Sequence, residues 1–161
     1  MIIRTVAEED AKAIASIYRY YVEETAISFE YEAPSEEEMK ARIRSIYRDY
    51  PFIVAEENGQ ILGYAYAHQF SQRAAYRISV EVTIYLDKDR TEKGIGSALY
   101  AELERQLRKM NIHSLYAIVM YPGYGSVEFH EKQGYRIVGK LTDCGEKYGK
   151  LWSVVYMEKK I

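Results

Sequence analysis

Apolar positions first recur with helical spacing at Ile14, Ile17, Tyr18 and Tyr21, behind a short strand signal at Ile2-Ile3. Thr5-x-x-Glu8 has the form of a capping box, so the pattern predicts a first helix introduced there. Pro34-Ser35-x-x-Glu38 repeats that signature ahead of Met39, Ile43, Ile46 and Tyr47, predicting a second helix that closes before Pro51. Residues 52–56 and 61–69 read as strands around Glu57-Asn58-Gly59-Gln60, and Asn-Gly is the strongest short hairpin signal.

Over residues 77–86 the period becomes two. Ile78, Val80, Val82, Ile84 and Leu86 alternate with Arg77, Ser79, Glu81, Thr83 and Tyr85, a long strand with one oily face and one polar, aromatic face. After the turn Asp87-Lys88-Asp89-Arg90, the stripe Ile95, Leu99, Leu103, Leu107 and Met110 predicts a helix to about Asn111. Residues 114–120 read as a strand, 126–133 as a short helix stopped by Gly134, and 135–140 and 152–158 as the last two strands. The order β-α-α-β-β-β-α-β-α-β-β is an α/β mixture with both parallel and antiparallel pairing.

A chain of 161 residues without repeats or linkers is expected to form a single domain, 1–161. Its 22 Lys and Arg against 24 Asp and Glu exclude the basic excess of a nucleic-acid binder. No apolar run approaches the ~20 residues of a membrane span and no signal-peptide core is present, so a soluble, cytoplasmic protein without a membrane partner is expected. Cys144 stands alone, which excludes an internal disulfide and a Cys-based zinc site. His68, His113 and His130 lack metal-ligand spacing, so no metal is implied. The 17 tyrosines against 4 phenylalanines are read as half-polar walls and partner surfaces.

Three features are candidates for chemistry. Lys93-Gly94-Ile95-Gly96-Ser97 lies between a strand and a helix, where backbone N–H groups and the helix dipole favour a phosphate. It matches neither a Walker motif nor a dinucleotide fingerprint, and on pattern alone an ordinary tight turn explains it equally well. Glu81 is the odd residue of its strand, although a lone carboxylate there is more often a solvated charge. His130, on the short helix, would alone be read as a surface histidine.

Together these features resemble the acetyl-CoA-binding motif of the GNAT N-acetyltransferases, carried by the strand, basic turn, glycine loop and helix between Val82 and Leu107. The resemblance extends along the chain to the phosphinothricin N-acetyltransferase-like branch. It is carried by Ile3-Arg4, Asp10, Ile17-Tyr18, Ser28-Phe29-Glu30, Pro34-Ser35 with Glu37, Gly63-Tyr64-Ala65-Tyr66-Ala67, Arg73 with Tyr76, Val80-Glu81, His130-Glu131-Lys132 and Gly134-Tyr135. It implies a mixed, mostly antiparallel sheet flanked by helices. It also implies acetyl-CoA meeting Ile84, Tyr85 and Leu86, with its pyrophosphate wrapped by Glu92, Lys93, Gly94, Ile95, Gly96 and Ser97 and with Lys132 nearby. Side chains at Gly94 or Gly96 are expected to hold the amides away from phosphate oxygens.

The sequence departs from the family pattern at three places. Thr91 holds the first position of the loop motif, Gly123 follows Pro122 where asparagine is usual, and Lys147 to Val154 places Trp152 one residue late with Ser153 in place of Asp. The resemblance implies direct acetyl transfer to a small primary amine. Glu81 is the candidate base, backbone N–H groups along residues 82–85 receive the developing negative charge, and His130 is the candidate acid, its ordinary pKa near ~6.5 suiting donation at neutral pH. A carboxylate is a weak base for a protonated amine unless burial or a relaying water assists it. Arg73, Tyr76 and Arg77, with Phe29, are expected to hold the acceptor's carboxylate or oxo group, the bland reading of Arg77 being a solvated turn. The implied acceptors are amino acids of the phosphinothricin, methionine sulfone or sulfoximine class, and a homodimer is implied. A polyamine, aminoglycoside or peptide N-terminus is the alternative acceptor, and a non-catalytic acyl-CoA-binding module the alternative to an enzyme.

Overall fold

The computed structural model describes residues 1–90 and 94–161. Its strands β1 (Ile2–Thr5), β2 (Phe52–Glu57), β3 (Gln60–Gln69), β4 (Ser79–Leu86), β5 (Ser114–Tyr121), β6 (Arg136–Lys147) and β7 (Lys150–Lys160) form one sheet in the order β1-β2-β3-β4-β5-β7-β6. Pairing is antiparallel except between β4 and β5. Helices α1 (Ala11–Glu23) and α2 (Glu36–Tyr47) cover one face, and α3 (Ile95–Lys109) and α4 (Ser126–Lys132) the other. No helix among the described residues is long and apolar enough to cross a membrane.

Strand alternation divides the core. Phe52, Val54 and Tyr64 pack against Ile14, Tyr18 and Val22 of α1 and Met39 and Ile43 of α2. Their neighbours Ile53, Ala65, Val80 and Val82 pack against Leu99, Leu103 and Leu107 of α3. Both faces of β4 are therefore covered, the polar face by an aromatic wall. Tyr18 and Tyr21 lie 5.0 and 4.8 Å from Tyr85, and the Tyr21 hydroxyl donates to the Leu86 carbonyl at 2.6 Å. Several of the tyrosines thus line an interior wall rather than a partner surface.

The second capping box forms as expected, with Ser35 Oγ accepting from the Glu38 N–H at 3.2 Å and Glu38 accepting from the Ser35 N–H at 2.6 Å. The first does not. Thr5 is the last residue of β1, paired with Ile53, so its backbone belongs to the sheet. The Asp10 carboxylate instead accepts from the Ala7 N–H at 2.7 Å, with both oxygens gripped by Arg4, and a 3-10 turn at Glu8–Asp10 leads into α1. Residues 77–78, expected in the long strand, sit in a 3-10 turn, Ala74–Ile78. β6 and β7 run well past the expected ends and meet at Tyr148-Gly149, both with positive φ.

Position of the site follows from one break in the sheet. β4 and β5 pair only at Ser79 with Ser114, Val80 with Leu115 and Glu81 with Tyr116. Beyond Glu81, β4 stays on β3 as far as Leu86 and β5 stays on β7 as far as Tyr121, while the two strands part from each other.

Candidate active site

Where β4 and β5 part, alternate residues of 82–86 turn main-chain N–H and C=O groups toward a gap instead of a neighbouring strand. The resulting cleft, with about 150 Å³ of free volume, is lined by Glu81 through Tyr85, by residues 117–120, and by Ile27, Tyr100, Gly123, Ser126 and His130. It continues into a groove of about 330 Å³ that adds Tyr21, Leu86, Tyr124 and Phe129. Ile84, Tyr85 and Leu86 thus line the path expected for the acyl carrier.

Two residues of that path, Ile84 and Phe129, lie against Gly96 in the first turn of α3. Gly94 precedes the helix with φ +109°, a conformation that a residue with a Cβ adopts only under strain, so glycine is required for the entry angle. The first-turn amides of α3 lack helical acceptors and carry the positive end of the dipole, as a pyrophosphate requires. Gly96 is explained differently from expectation. A Cβ there would stand 2.9 Å from the Phe129 ring, so this glycine lets α4 close on α3. Ser97 is exposed and accepts from Gln133 Nε2 at 2.9 Å, and Lys132 is exposed at the end of α4. Glu92, Lys93 and Thr91 lie outside the described residues.

Two sets of polar groups enter the cleft from opposite faces. Val80 and Val82 point to the α3 side, so Glu81 points to the α1 side, in register with His68 of β3 and Tyr116 of β5. Its side chain is 26% exposed and lies 3.5 Å from His68 Nε2. His130 and Tyr100 come from α4 and α3. The His130 Nδ1 lies 2.7 Å from the Ser126 carbonyl, which can only accept, so Nδ1 carries the hydrogen and Nε2 accepts from the Tyr100 hydroxyl at 2.8 Å.

His130 is therefore neither a surface residue nor an ordinary imidazolium. It is 4% exposed, and burial pushes its pKa below the usual histidine value, which keeps it neutral at pH 7. The O–H group beside it belongs to Tyr100, whose ionisation burial pushes well above the usual range. Tyr100 was hidden in the sequence because it occupies a core-facing position of α3.

The expected acceptor residues are not gathered in the cleft. Arg73, Tyr76 and Arg77 are exposed in and beside the 3-10 turn before β4, joined to the Glu81 face through Tyr76 on Phe70 at 5.4 Å and Phe70 on Tyr116 at 4.6 Å. The Phe29 ring lies against Gly145 of β6, where any Cβ would run into it. From the same loop it is Ile27 that lines the cleft. The departures also find physical reasons. A Cβ at Gly123 would stand 2.6 Å from the Met120 carbonyl oxygen, leaving no room for asparagine on this backbone. Ser153 Oγ accepts the Asp143 N–H at 3.0 Å, holding the irregular stretch of β6.

Comparison with known proteins agrees with this geometry. Residues 3–153 match the acetyltransferase (GNAT) domain. The chain is similar to a phosphinothricin N-acetyltransferase of Streptomyces coelicolor, 35% identical over 161 residues, covering 98% of this chain and 94% of that protein. It superposes with a TM-score of 0.94 on a GNAT superfamily phosphinothricin acetyltransferase from Sinorhizobium meliloti in complex with acetyl-CoA, 33% identical, covering 99% and 88%. A ribosomal-protein-alanine N-acetyltransferase from Brucella melitensis gives a TM-score of 0.95 at 30% identity, with both chains fully covered. The parted strands, the glycine-led helix and a match over nearly the whole chain lead to one conclusion: the protein belongs to the GNAT family and is an acetyl-CoA-dependent N-acetyltransferase.

Proposed function

We propose that this enzyme acetylates the primary amine of a small amino-acid-like acceptor of the phosphinothricin, methionine sulfone or sulfoximine class. The observation that carries this reading is the cleft itself, which has a carboxylate on one face of the sheet and a Tyr100–His130 pair on the other. Acetyl-CoA supplies an activated acyl group and leaves as a thiol. Its arm fits the open edge of β4, with the pyrophosphate at the first turn of α3.

The chain's own groups then have separate tasks. Glu81 removes a proton from the acceptor's ammonium, directly or through water. Free N–H groups along residues 82–85 hydrogen-bond the acyl oxygen as it gains negative charge. On the far side, as the C–S bond breaks, the second proton of the attacking nitrogen passes by way of the Tyr100 hydroxyl to the departing sulfur, with neutral His130 Nε2 fixing that hydroxyl in place. Arg73 and Arg77 offer guanidinium forks for an acceptor anion at the mouth on the Glu81 side.

A CoA-thiol release screen tests the acceptor class, with methionine sulfone, methionine sulfoximine, phosphinothricin, spermidine and a peptide beginning with alanine. Acceptor-dependent release with the first three is expected. Release with the peptide alone would favour a protein N-terminus, the reading that the Brucella neighbour's name supports. Bound acetyl-CoA with no release from any acceptor would favour a binding module.

We also propose a cytoplasmic homodimer. Among the described residues, the half of the sheet formed by β5, β7 and β6 has no helix on the Glu81 side, and Ile118 and Leu141 are 40% and 47% exposed there. The exposed thiol of Cys144 on β6 suits a reducing compartment. Light scattering is expected to give twice the chain mass at micromolar concentration, and a monomer would remove the dimer.

A further inference from the structure

Glu81 has a titratable partner that the mechanism above does not use. Register sets it opposite His68 across the β3–β4 ladder, with His68 Nε2 3.5 Å from Glu81 Oε1. The other ring nitrogen faces the Gln69 carbonyl at 3.2 Å, so Nδ1 carries a hydrogen and Nε2 is the atom that titrates. Neutral, it turns a lone pair to the carboxylate. Protonated, it turns an N–H.

The groups around this pair are few. Tyr66 of β3 lies 6.1 Å from the His68 ring, and Tyr116 of β5 is in register with Glu81. The Tyr116 hydroxyl donates to Glu158 of β7, which also pairs with Lys160 and Arg136. Beyond Tyr66, α2 contributes Arg42, which is forked on Glu30. Tyr85, Tyr100 and His130 line the shared cleft. Among these groups Glu81 is the charge that acts on His68, by hydrogen bonding and by its field, and it raises the imidazole pKa above the usual value.

Resting on the reading of Glu81 as the base, we propose that His68 is a positioning residue that decides when this base is available. Its imidazolium holds the carboxylate in an ion pair across the ladder, and the neutral ring releases both oxygens to the amine or to a relaying water. The neutral form also gives the transferred proton an exit. It passes from the ammonium nitrogen to Glu81 and on to His68 Nε2, whose side chain is 37% exposed to water. The acyl transfer itself is unchanged by this step.

The sign follows from the direction of the shift. Because the carboxylate favours the charged ring, the ion pair persists to a pH above the ordinary histidine midpoint of ~6.5, and kcat rises as the pair is lost. Measured at saturating acetyl-CoA and amine from pH 5.5 to 9, kcat of the wild type is expected to show an acid limb. That limb should coincide with the His68 Cε1–H midpoint followed by NMR, and it should move down by about one pH unit or more in His68→Gln. The chain has three histidines, so His68→Gln also assigns the resonance. Glu81→Gln should lower the His68 midpoint. A wild-type limb in His68→Gln, or a midpoint indifferent to Glu81→Gln, overturns the proposal. An inactive Glu81→Gln beside an unchanged His68→Gln profile removes the role of His68 alone, whereas wild-type turnover in Glu81→Gln removes the base and this inference with it.

Discussion

Glu81→Gln is expected to lower kcat by about 10² to 10⁴ while leaving acetyl-CoA affinity nearly unchanged. The substitution keeps the shape of a side chain at the fork between β4 and β5 but removes its basic site. The acyl-carrier groove lies farther along β4, at Ile84 to Leu86 with Phe129, and Glu81 does not line it, so binding there should not sense the change. Part of the lost rate should return as pH rises through the acceptor's own amine pKa, about 7.7 to 8.0 for an α-amine, because solvent then supplies the free nucleophile. A solvated surface carboxylate would behave otherwise, leaving kcat within a few-fold at every pH. Comparing kcat/KM for the two proteins from pH 6 to 10 decides, and wild-type activity for Glu81→Gln across that range would sink the assignment.

The fold was legible wherever one face of an element is buried and the other is not. α3 is such a case, its stripe Ile95, Leu99, Leu103 and Leu107 being buried as read, while Met110, the last of the stripe, lies past the helix end and is exposed. β2 and β3 were marked by the Asn58-Gly59 turn, whose two positive φ angles suit those residues. β6 was not legible beyond its first residues. As the edge strand it is exposed along nearly its whole length, so burial imposes no alternation on its sequence. Thr5-x-x-Glu8 misled for another reason, since the pairing of Thr5 with Ile53 overrides a local capping preference.

The site was legible on one side of the sheet and obscured on the other. Glu81 stood out as a carboxylate set among the apolar alternate residues of its strand, and the glycine loop stood out by its spacing. Tyr100 carried no such signal, because a tyrosine at a core-facing helical position reads as packing. His68 was equally silent. Its partner lies 13 residues away, and only the β3–β4 register, set by a connection that includes a 3-10 turn, brings the two together.

Lys147→Met is expected to destabilise the protein by about 2 to 4 kcal/mol and to lower Tm by about 5 to 15 °C, although Lys147 touches no reacting group. The lysine sits at the end of β6 and is 4% exposed, with its ammonium donating to the Val22 carbonyl at 2.6 Å and the Ser28 carbonyl at 2.7 Å. Val22 is in the last turn of α1, where carbonyls lack helical partners and the dipole favours a cation. Methionine keeps the chain length but donates nothing, leaving the Ser28 carbonyl unpaired and the Val22 carbonyl with only the longer bond from the Tyr148 hydroxyl at 3.2 Å. The effect should also reach the cleft. Lys147 ties together the two ends of the loop that carries Ile27, and the Tyr148 hydroxyl and Trp152 Nε1 brace the same hairpin tip by bonding the Glu23 and Lys147 carbonyls at 2.7 and 2.9 Å. Loosening that loop should raise the acceptor KM more than it lowers kcat, because Ile27 shapes the cleft without joining the proton transfers. Thermal unfolding with steady-state kinetics below the new Tm checks both parts. A Tm within 2 °C of wild type would show that water replaces the ammonium at no cost, and a fall in kcat with an unchanged KM would place the loop's role in the chemistry instead.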